Sequence, residues 1–168
     1  WRWAAPLSRA LRRTMNEVLV HSGQHYDPEL ADLFFDELDI PTPDHALEVG
    51  PGSPNAQIAH MIARLDPLID ELAPDLVMVY GDTTTTLAGA IAAAKCAVPI
   101  AHVEAGLRSF VKTMPEEQNR VVTDHLAELL FVPTSVAVEN LRREGITDGV
   151  HVVGDVMYDA ARLFAPVA

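Results

Sequence analysis

The sequence predicts an α/β protein, a Rossmann-like parallel sheet with helices on both faces. Three observations carry the prediction. Short continuous apolar runs, such as DLVMVYG (75–81) and VPIAHVE (98–104), alternate with segments of helical period. Their central residues are mainly apolar without alternation, as in strands buried on both faces. Charged residues, Asp82 and Glu104, stand directly after two of them. Ligands of open parallel sheets bind beyond the carboxyl ends of the strands, so these acids converge on the edge where a site belongs.

The elements follow in order. APLSRALRR (5–13) has helical spacing with a basic end, and NEVLVHSG (16–23) is an apolar run stopped by Gly, a strand. DPELADLFFDEL (27–38) has an Asp-Pro start and a helical period. LEVG (47–50) is a weak strand. SPNAQIAHMIARLDPLIDEL (53–72) is a long helix with Ser53 as N-cap, kinked or broken at Pro67. After the strand 75–81 comes an Ala-rich helix, TTTLAGAIAAAKCA (84–97), made to pack closely on a sheet. The strand 98–104 is followed by the helix PEEQNRVVTDHLAEL (115–129), with Pro in its first turn and acids at its positive end. LFVPT (130–134) and VHVVG (150–154) are strands around the helix SVAVENLRREG (135–145).

Length and composition narrow the function. The chain has 168 residues, 49% of them apolar and 21% charged, enough for a globular domain with a core. No apolar run reaches the ~18–20 residues of a membrane span, and the start WRWAAPLSRALRR lacks the apolar core of a signal peptide. The single cysteine, Cys96, excludes an intrachain disulfide and a Cys-based zinc site, and it fits a cytoplasmic location. A net charge of −12 argues against nucleic acid, whose binding needs phosphate neutralisation by Lys and Arg. A few placed arginines can still hold a small anion.

The chemistry sits in four segments at successive strand-to-helix junctions. In GDTTTT (81–86), Gly81 allows a tight turn, and Asp82 is either a helix cap or a site acid. In HVEAGLRSF (102–110), Arg108 is placed to pair with Glu104 or with a phosphate. His102, inside the apolar run, reads as a satisfied core histidine. In MPEEQNR (114–120), Glu116 and Glu117 suit a helix start, and Arg120 follows them at ordinary helix-face spacing. SGQHYD (22–27) puts Gln24 and His25 after a strand. The other histidines, His45, His60, His125 and His151, have no metal-ligand spacing. Several carboxylates at one edge, without a cysteine cluster or a Gly-rich nucleotide fingerprint, point to proton transfer at carbon or oxygen.

SGQHYD, VYGDTTTTLAGAIAA, HVEAGLRS, PEEQNR and VGDVMYDA, in this order, resemble the non-hydrolysing UDP-N-acetylglucosamine 2-epimerases from about Ala5 to Asp159. The resemblance implies one half of a glycosyltransferase-B type two-domain fold, with substrate in the cleft between two Rossmann-like domains. It implies interconversion of UDP-GlcNAc and UDP-ManNAc by elimination of UDP and re-addition with inversion at C2. No metal or nicotinamide cofactor is implied, and the full-length form is expected to be a homodimer. By motif, Asp82, Glu104 and Glu116 match the family's catalytic carboxylates. Arg108, Glu117, Asn119 and Arg120 match supporting positions. Gln24 and His25 match a loop at the cleft that helps form a regulatory site in some bacterial members, although here it continues as YD where those members carry an Arg.

Two departures set further expectations. WRWA stands where the family has a strand and a GTRPE-like loop, so the usual first strand is expected to be missing from this N-terminal domain. The sequence ends near the crossing to the second domain, which in the family carries a catalytic His and most UDP-binding groups. The chain is therefore expected to be inactive alone. Rival readings are a 2-epimerase for a modified UDP-sugar such as a diacetamido uronate, a hydrolysing epimerase, and a non-catalytic binding or oligomerisation domain.

Overall fold

The structure is a computed structural model that describes residues 4–23 and 41–164. The predicted helix 27–38 and the residues Gln24 and His25 lie outside the described residues. In chain order the elements are α1 (Ala4–Leu11), β1 (Val20–His21), β2 (His45–Ala46), α2 (Pro54–Leu72), β3 (Val77–Tyr80), α3 (Thr84–Lys95), β4 (Ile100–Val103), α4 (Pro115–Leu126), β5 (Leu129–Val132), α5 (Ser135–Arg143), β6 (Val150–Val152) and α6 (Val156–Phe164). They divide into two units, one made of chain before Gly52 and after Gly154, the other spanning Gly52–Gly154.

In the first unit β1 and β2 pair in parallel, with Val20 opposite His45. The strand predicted over 16–23 is reduced to two residues, yet backbone bonding runs on past it: Leu47 N–H donates to His21 O at 2.8 Å and Val49 N–H to Ser22 O at 3.1 Å. Gly23 turns the chain at φ 70°, its Cα so close to Glu48 that a Cβ would lie 3.1 Å from the Glu48 Cα. Polar contacts tie α1 to the strand region. Ser8 donates to Glu17, and Arg12 Nε donates to the same carboxylate at 2.6 Å. The helix α6, which sequence reasoning did not anticipate, packs against α1.

The second unit holds a fully parallel sheet in the order β3-β4-β5-β6, with Val77 opposite Ile100, Ala101 opposite Leu129 and Leu130 opposite Val150. Parallel neighbours require a crossover, and α3, α4 and α5 supply them. Small residues let α3 lie close: Ala88, Ala90 and Ala93 are fully buried, and a Cβ on Gly89 would lie 3.1 Å from Val79 Cγ1. One buried cluster joins Val79, Ala90, Ala93 and Ile100, and a second joins Ala105, Leu130, Val132, Ala137 and Leu141. These branched and small side chains fill the space between sheet and helices.

Ser53 caps α2, accepting from Ala56 N–H at 3.3 Å. The break that Pro67 could have made does not occur, and α2 runs as one helix to Leu72. Proline removes one internal hydrogen bond. Packing of α2 on α3 and burial of Met61 and Ile69 on either side of Pro67 hold the helix together.

Gly149, just before β6, has φ 68°, and a Cβ there would stand 1.9 Å from Glu128 O. The neighbour is backbone of the adjacent strand connection and has little room to yield. Gly149→Ala is expected to cost about 2–4 kcal/mol through overpacking and strained backbone, read as a lowered urea midpoint.

Candidate active site

The site begins at the end of β3. Gly81 (φ 63°) turns the chain and donates its N–H to Val103 O at 3.0 Å. The threonine run then closes the first turn of α3 on itself. Thr83 is the N-cap, accepting from Thr86 N–H at 3.3 Å, while Thr83 N–H donates to Thr86 Oγ1 at 3.2 Å. Thr86 Oγ1 also donates to Tyr80 O at 2.5 Å. Capping is thus done by Thr83, which leaves the Asp82 carboxylate available for other work.

At the end of β4, Glu104 adopts φ 70°, a left-handed conformation that costs a non-glycine residue of the order of 1 kcal/mol and is held here by its surroundings. Its N–H and that of Ala105 both donate to Phe131 O, at 3.0 and 3.1 Å. Gly106 (φ 79°) follows, pressed on α5 so closely that a Cβ would lie 2.6 Å from Ala137 O. Asn140 Nδ2 donates to Gly106 O at 3.0 Å.

The helix α4 buries a polar face: Glu117, Asn119, Arg120, Thr123 and Asp124. Arg120 Nη2 donates to Asp82 Oδ2 at 2.6 Å and to Glu104 Oε2 at 3.1 Å, and Nη1 donates to Glu104 O. Asn119 Nδ2 donates to Asp82 O at 2.8 Å. One guanidinium, its side chain 6% exposed, therefore bridges two acids that keep 30% and 19% of their side-chain surface open. Arg120 thus sits where the resemblance places a support for the acids, and the alternative pairing along its own helix with Glu116 and Glu117 does not form.

Glu117 instead fastens the loop before α4. Its carboxylate accepts from Ser109 N–H at 2.7 Å, Ser109 Oγ at 3.1 Å and Phe110 N–H at 3.0 Å. Burial alone would raise its pKa, but these bonds, with the positive charge of Arg108, bring it below the usual range. Glu116 is exposed, and its side chain makes no hydrogen bond or ion pair among the described residues. The structure therefore brings Asp82, Glu104, Asn119 and Arg120 together and leaves Glu116 exposed on the first turn of α4.

Arg108 departs from expectation. It pairs with neither Glu104 nor an open anion position. Its Nε and Nη2 grip Glu144 at 2.8 and 2.7 Å, and Nη1 donates to Asp124 Oδ2 at 2.7 Å and to Leu107 O at 2.8 Å. The side chain is 1% exposed. The turn at Gly106 directs it toward α4 and α5 and away from Glu104. Burial opposes its charge, but Glu144 and Asp124 outweigh that and raise its pKa.

Below the acids lies a buried pair that sequence reasoning only half found. His102 is a satisfied core histidine, with Nδ1 2.6 Å from Asp124 Oδ1 and Nε2 2.7 Å from Gly81 O. Asp124 was missed. Its signal was its spacing from Glu117 and Arg120, i+7 and i+4, which puts three charges on one helix face. Burial would raise the Asp124 pKa, yet bonds from His102 and then Arg108 hold it below the ordinary value.

Glu117 and Asp124 thus both have depressed folded-state values. Such groups contribute stability that is complete above the unfolded carboxylate pKa of about 4 and is lost as pH falls through the folded value. On acidification from pH 5 to 2, a range set by the usual carboxylate pKa of about 4, the amides of Ser109, Phe110 and Gly106 are expected to lose hydrogen-exchange protection together.

Among the described residues no cluster of three or more His, Cys, Asp or Glu side chains is arranged to hold a metal ion, and no helix is long and apolar enough to cross a membrane.

A four-stranded parallel sheet with Asp82 and Glu104 beyond its carboxyl ends defines a Rossmann-like α/β fold, and the solved structures it resembles are of the glycosyltransferase-B type, about half of whose length it covers. The sequence profile of the UDP-N-acetylglucosamine 2-epimerases matches residues 9–168, and the chain belongs to that family. It is 53% identical over 156 residues to a UDP-N-acetylglucosamine 2-epimerase homolog of Methanococcus maripaludis, covering 93% of this chain and 44% of the relative. It is 46% identical over 167 residues to the UDP-2,3-diacetamido-2,3-dideoxy-D-glucuronate 2-epimerase of Pseudomonas aeruginosa, covering 96% and 47%. Among solved structures, the Methanocaldococcus jannaschii UDP-GlcNAc 2-epimerase in complex with UDP-GlcNAc and UDP superposes with a TM-score of 0.96 at 41% identity, covering 99% of this chain and 46% of that one. The chain therefore spans less than half the length of these relatives.

Proposed function

We propose that the protein containing this chain is a UDP-N-acetylglucosamine 2-epimerase that interconverts UDP-GlcNAc and UDP-ManNAc. The supporting observation is the Arg120 guanidinium shared by Asp82 and Glu104, two partly open acids beyond the ends of β3 and β4. In the proposed reaction a base removes the C2 proton as the C1–O bond to UDP breaks. A 2-acetamidoglycal forms, and UDP then re-adds at C1 while an acid returns a proton to the opposite face of C2. Inversion needs groups on two faces, and Asp82, Glu104 and Glu116 share that work.

Elimination and re-addition of UDP leave the sugar at the same overall oxidation level, so the chemistry calls for no redox carrier. Arg120 and Asn119 hold Asp82, Arg120 holds Glu104, and Glu117 fixes the loop beside Glu116. Gln24 and His25 are proposed to contact substrate. Assembly as a homodimer in the cytoplasm, with a role in polysaccharide biosynthesis, belongs to the same proposal. Light scattering on the full-length protein tests the dimer.

A second reading has a specific basis in the 46% identical relative from Pseudomonas aeruginosa, named for a diacetamido glucuronate. The same acids would invert C2 of that sugar. The deciding experiment incubates the full-length protein with each UDP-sugar in D2O. Deuterium at C2 of UDP-GlcNAc together with UDP-ManNAc supports the first reading. Exchange confined to the diacetamido uronate supports the second, and free ManNAc with UDP would reveal a hydrolysing enzyme. The isolated 168-residue chain, which covers 44% of the M. maripaludis relative, is expected to show no turnover.

A further inference from the structure

We propose that Asp124 is a positioning residue that fixes both acid-bearing turns at once, the Gly81–Asp82 turn through His102 and the Glu104–Gly106 turn directly. The inference rests on the epimerase reading for its catalytic consequence and on geometry alone for its structural one.

The two oxygens of Asp124 divide the task. Oδ1 meets His102 Nδ1 at 2.6 Å, and His102 Nε2 reaches Gly81 O at 2.7 Å. That carbonyl belongs to the peptide joining Gly81 to Asp82. A carbonyl only accepts, so Nε2 donates to it. Oδ2 accepts from Gly106 N–H at 3.1 Å, two residues after Glu104, and from Arg108 Nη1 at 2.7 Å. A carboxylate already receiving N–H groups from Gly106 and Arg108 stands as an acceptor, so Nδ1 donates as well. A ring that donates at both nitrogens is an imidazolium, and it is then a rigid strut with an N–H at each end, paired with the Asp124 carboxylate.

His102 and Asp124 are fully buried, as is Arg108 apart from 1% of its side chain. None of the three reaches the open surface where Asp82 and Glu104 keep their exposed faces. Their bonds go to the backbone of the two turns and to Glu144. Arg120, one helical turn before Asp124 on α4, grips the acids themselves. So α4 sets the carboxylates twice, at the side chains with Arg120 and at the backbone with Asp124. Bonds to buried charged groups are the stronger ones, and an acid displaced by about 1 Å can lose a hundredfold in rate.

The test uses the full-length protein with Asp124→Asn, His102→Gln and Glu144→Gln. Hydrogen exchange read by mass spectrometry is expected to rise at both 81–83 and 104–107 in Asp124→Asn. It should rise only at 81–83 in His102→Gln and at neither in Glu144→Gln. Faster exchange at one turn or none in a folded Asp124→Asn overturns the proposal, and this readout does not need turnover. With active wild type, kcat in Asp124→Asn is expected to fall about a hundredfold with KM little changed. A loss that merely tracks the unfolded fraction overturns the catalytic part. An inactive wild type with both turns loosened refutes the epimerase reading and supports the positioning. Should Asp124→Asn not fold, His102→Gln decides. Should neither fold, wild-type protein labelled at histidine nitrogens decides: two slowly exchanging ring N–H protons on His102 support the strut, and a single one overturns it.

Discussion

Replacing Arg120 with methionine is expected to produce the largest combined loss of stability and activity of any single change at this site. The guanidinium separates Asp82 and Glu104, with Nη2 2.6 and 3.1 Å from their oxygens. Methionine keeps an unbranched apolar stem and removes the charged head. Two carboxylates then face each other with no cation between them, and Glu104 O loses the donor that holds it. Removing one partner of a fully buried pair costs about 3–5 kcal/mol. Because these acids are 30% and 19% exposed, water recovers part of that, and a loss of about 2–3 kcal/mol in urea unfolding is expected. The loss should shrink as salt screens the repulsion. Arg120→Lys should recover part of the stability but little activity, since an ammonium cannot reproduce the flat fork that spans both turns. A methionine variant as stable as wild type at low salt would show that the bridge contributes nothing.

Asp82→Asn and Glu104→Gln are expected to separate chemistry from folding. Each keeps shape and an acceptor for Arg120 while abolishing proton transfer at that position. General acid–base groups contribute about 10²–10⁴-fold, so C2 deuterium incorporation by the full-length protein should fall by about that factor. Stability should change by less than about 1 kcal/mol, because partly exposed ion pairs contribute little net energy. The two variants should also differ from each other in D2O. If they serve opposite faces of C2, one substrate epimer should still exchange its proton in one variant and the other epimer in the other. Full turnover in both variants would remove these acids from the mechanism and leave Glu116 as the remaining candidate.

Much of this was legible in the residues. The mainly apolar runs 75–81 and 98–104 announced buried parallel strands, and β3 and β4 lie within them. The Ala-rich segment after Thr83 announced a closely packed helix, and α3 is one. The convergence of Asp82 and Glu104 followed from their place after strands, because a parallel sheet brings all carboxyl ends to one edge. The partners of the charges were not legible. Arg108 was expected near Glu104 by proximity in sequence and is instead held by Glu144, thirty-six residues away. Arg120 had two readings, a pairing within its helix and, by resemblance, a support for the acids, and only the fold shows it crossing to two strand ends. Pro67 was expected to kink or break its helix, and packing keeps the helix unbroken to Leu72.

The sequence by itself determined the alternation of elements, the parallel arrangement and the edge on which acids gather, because periodicity and turn chemistry act over a few residues. Only the tertiary structure decided which guanidinium serves which carboxylate and that His102 and Asp124 brace both turns. Such choices depend on the register between strands and on the rotation of α4 about its axis. Both are set by packing between segments far apart in the chain, where local pattern carries no signal.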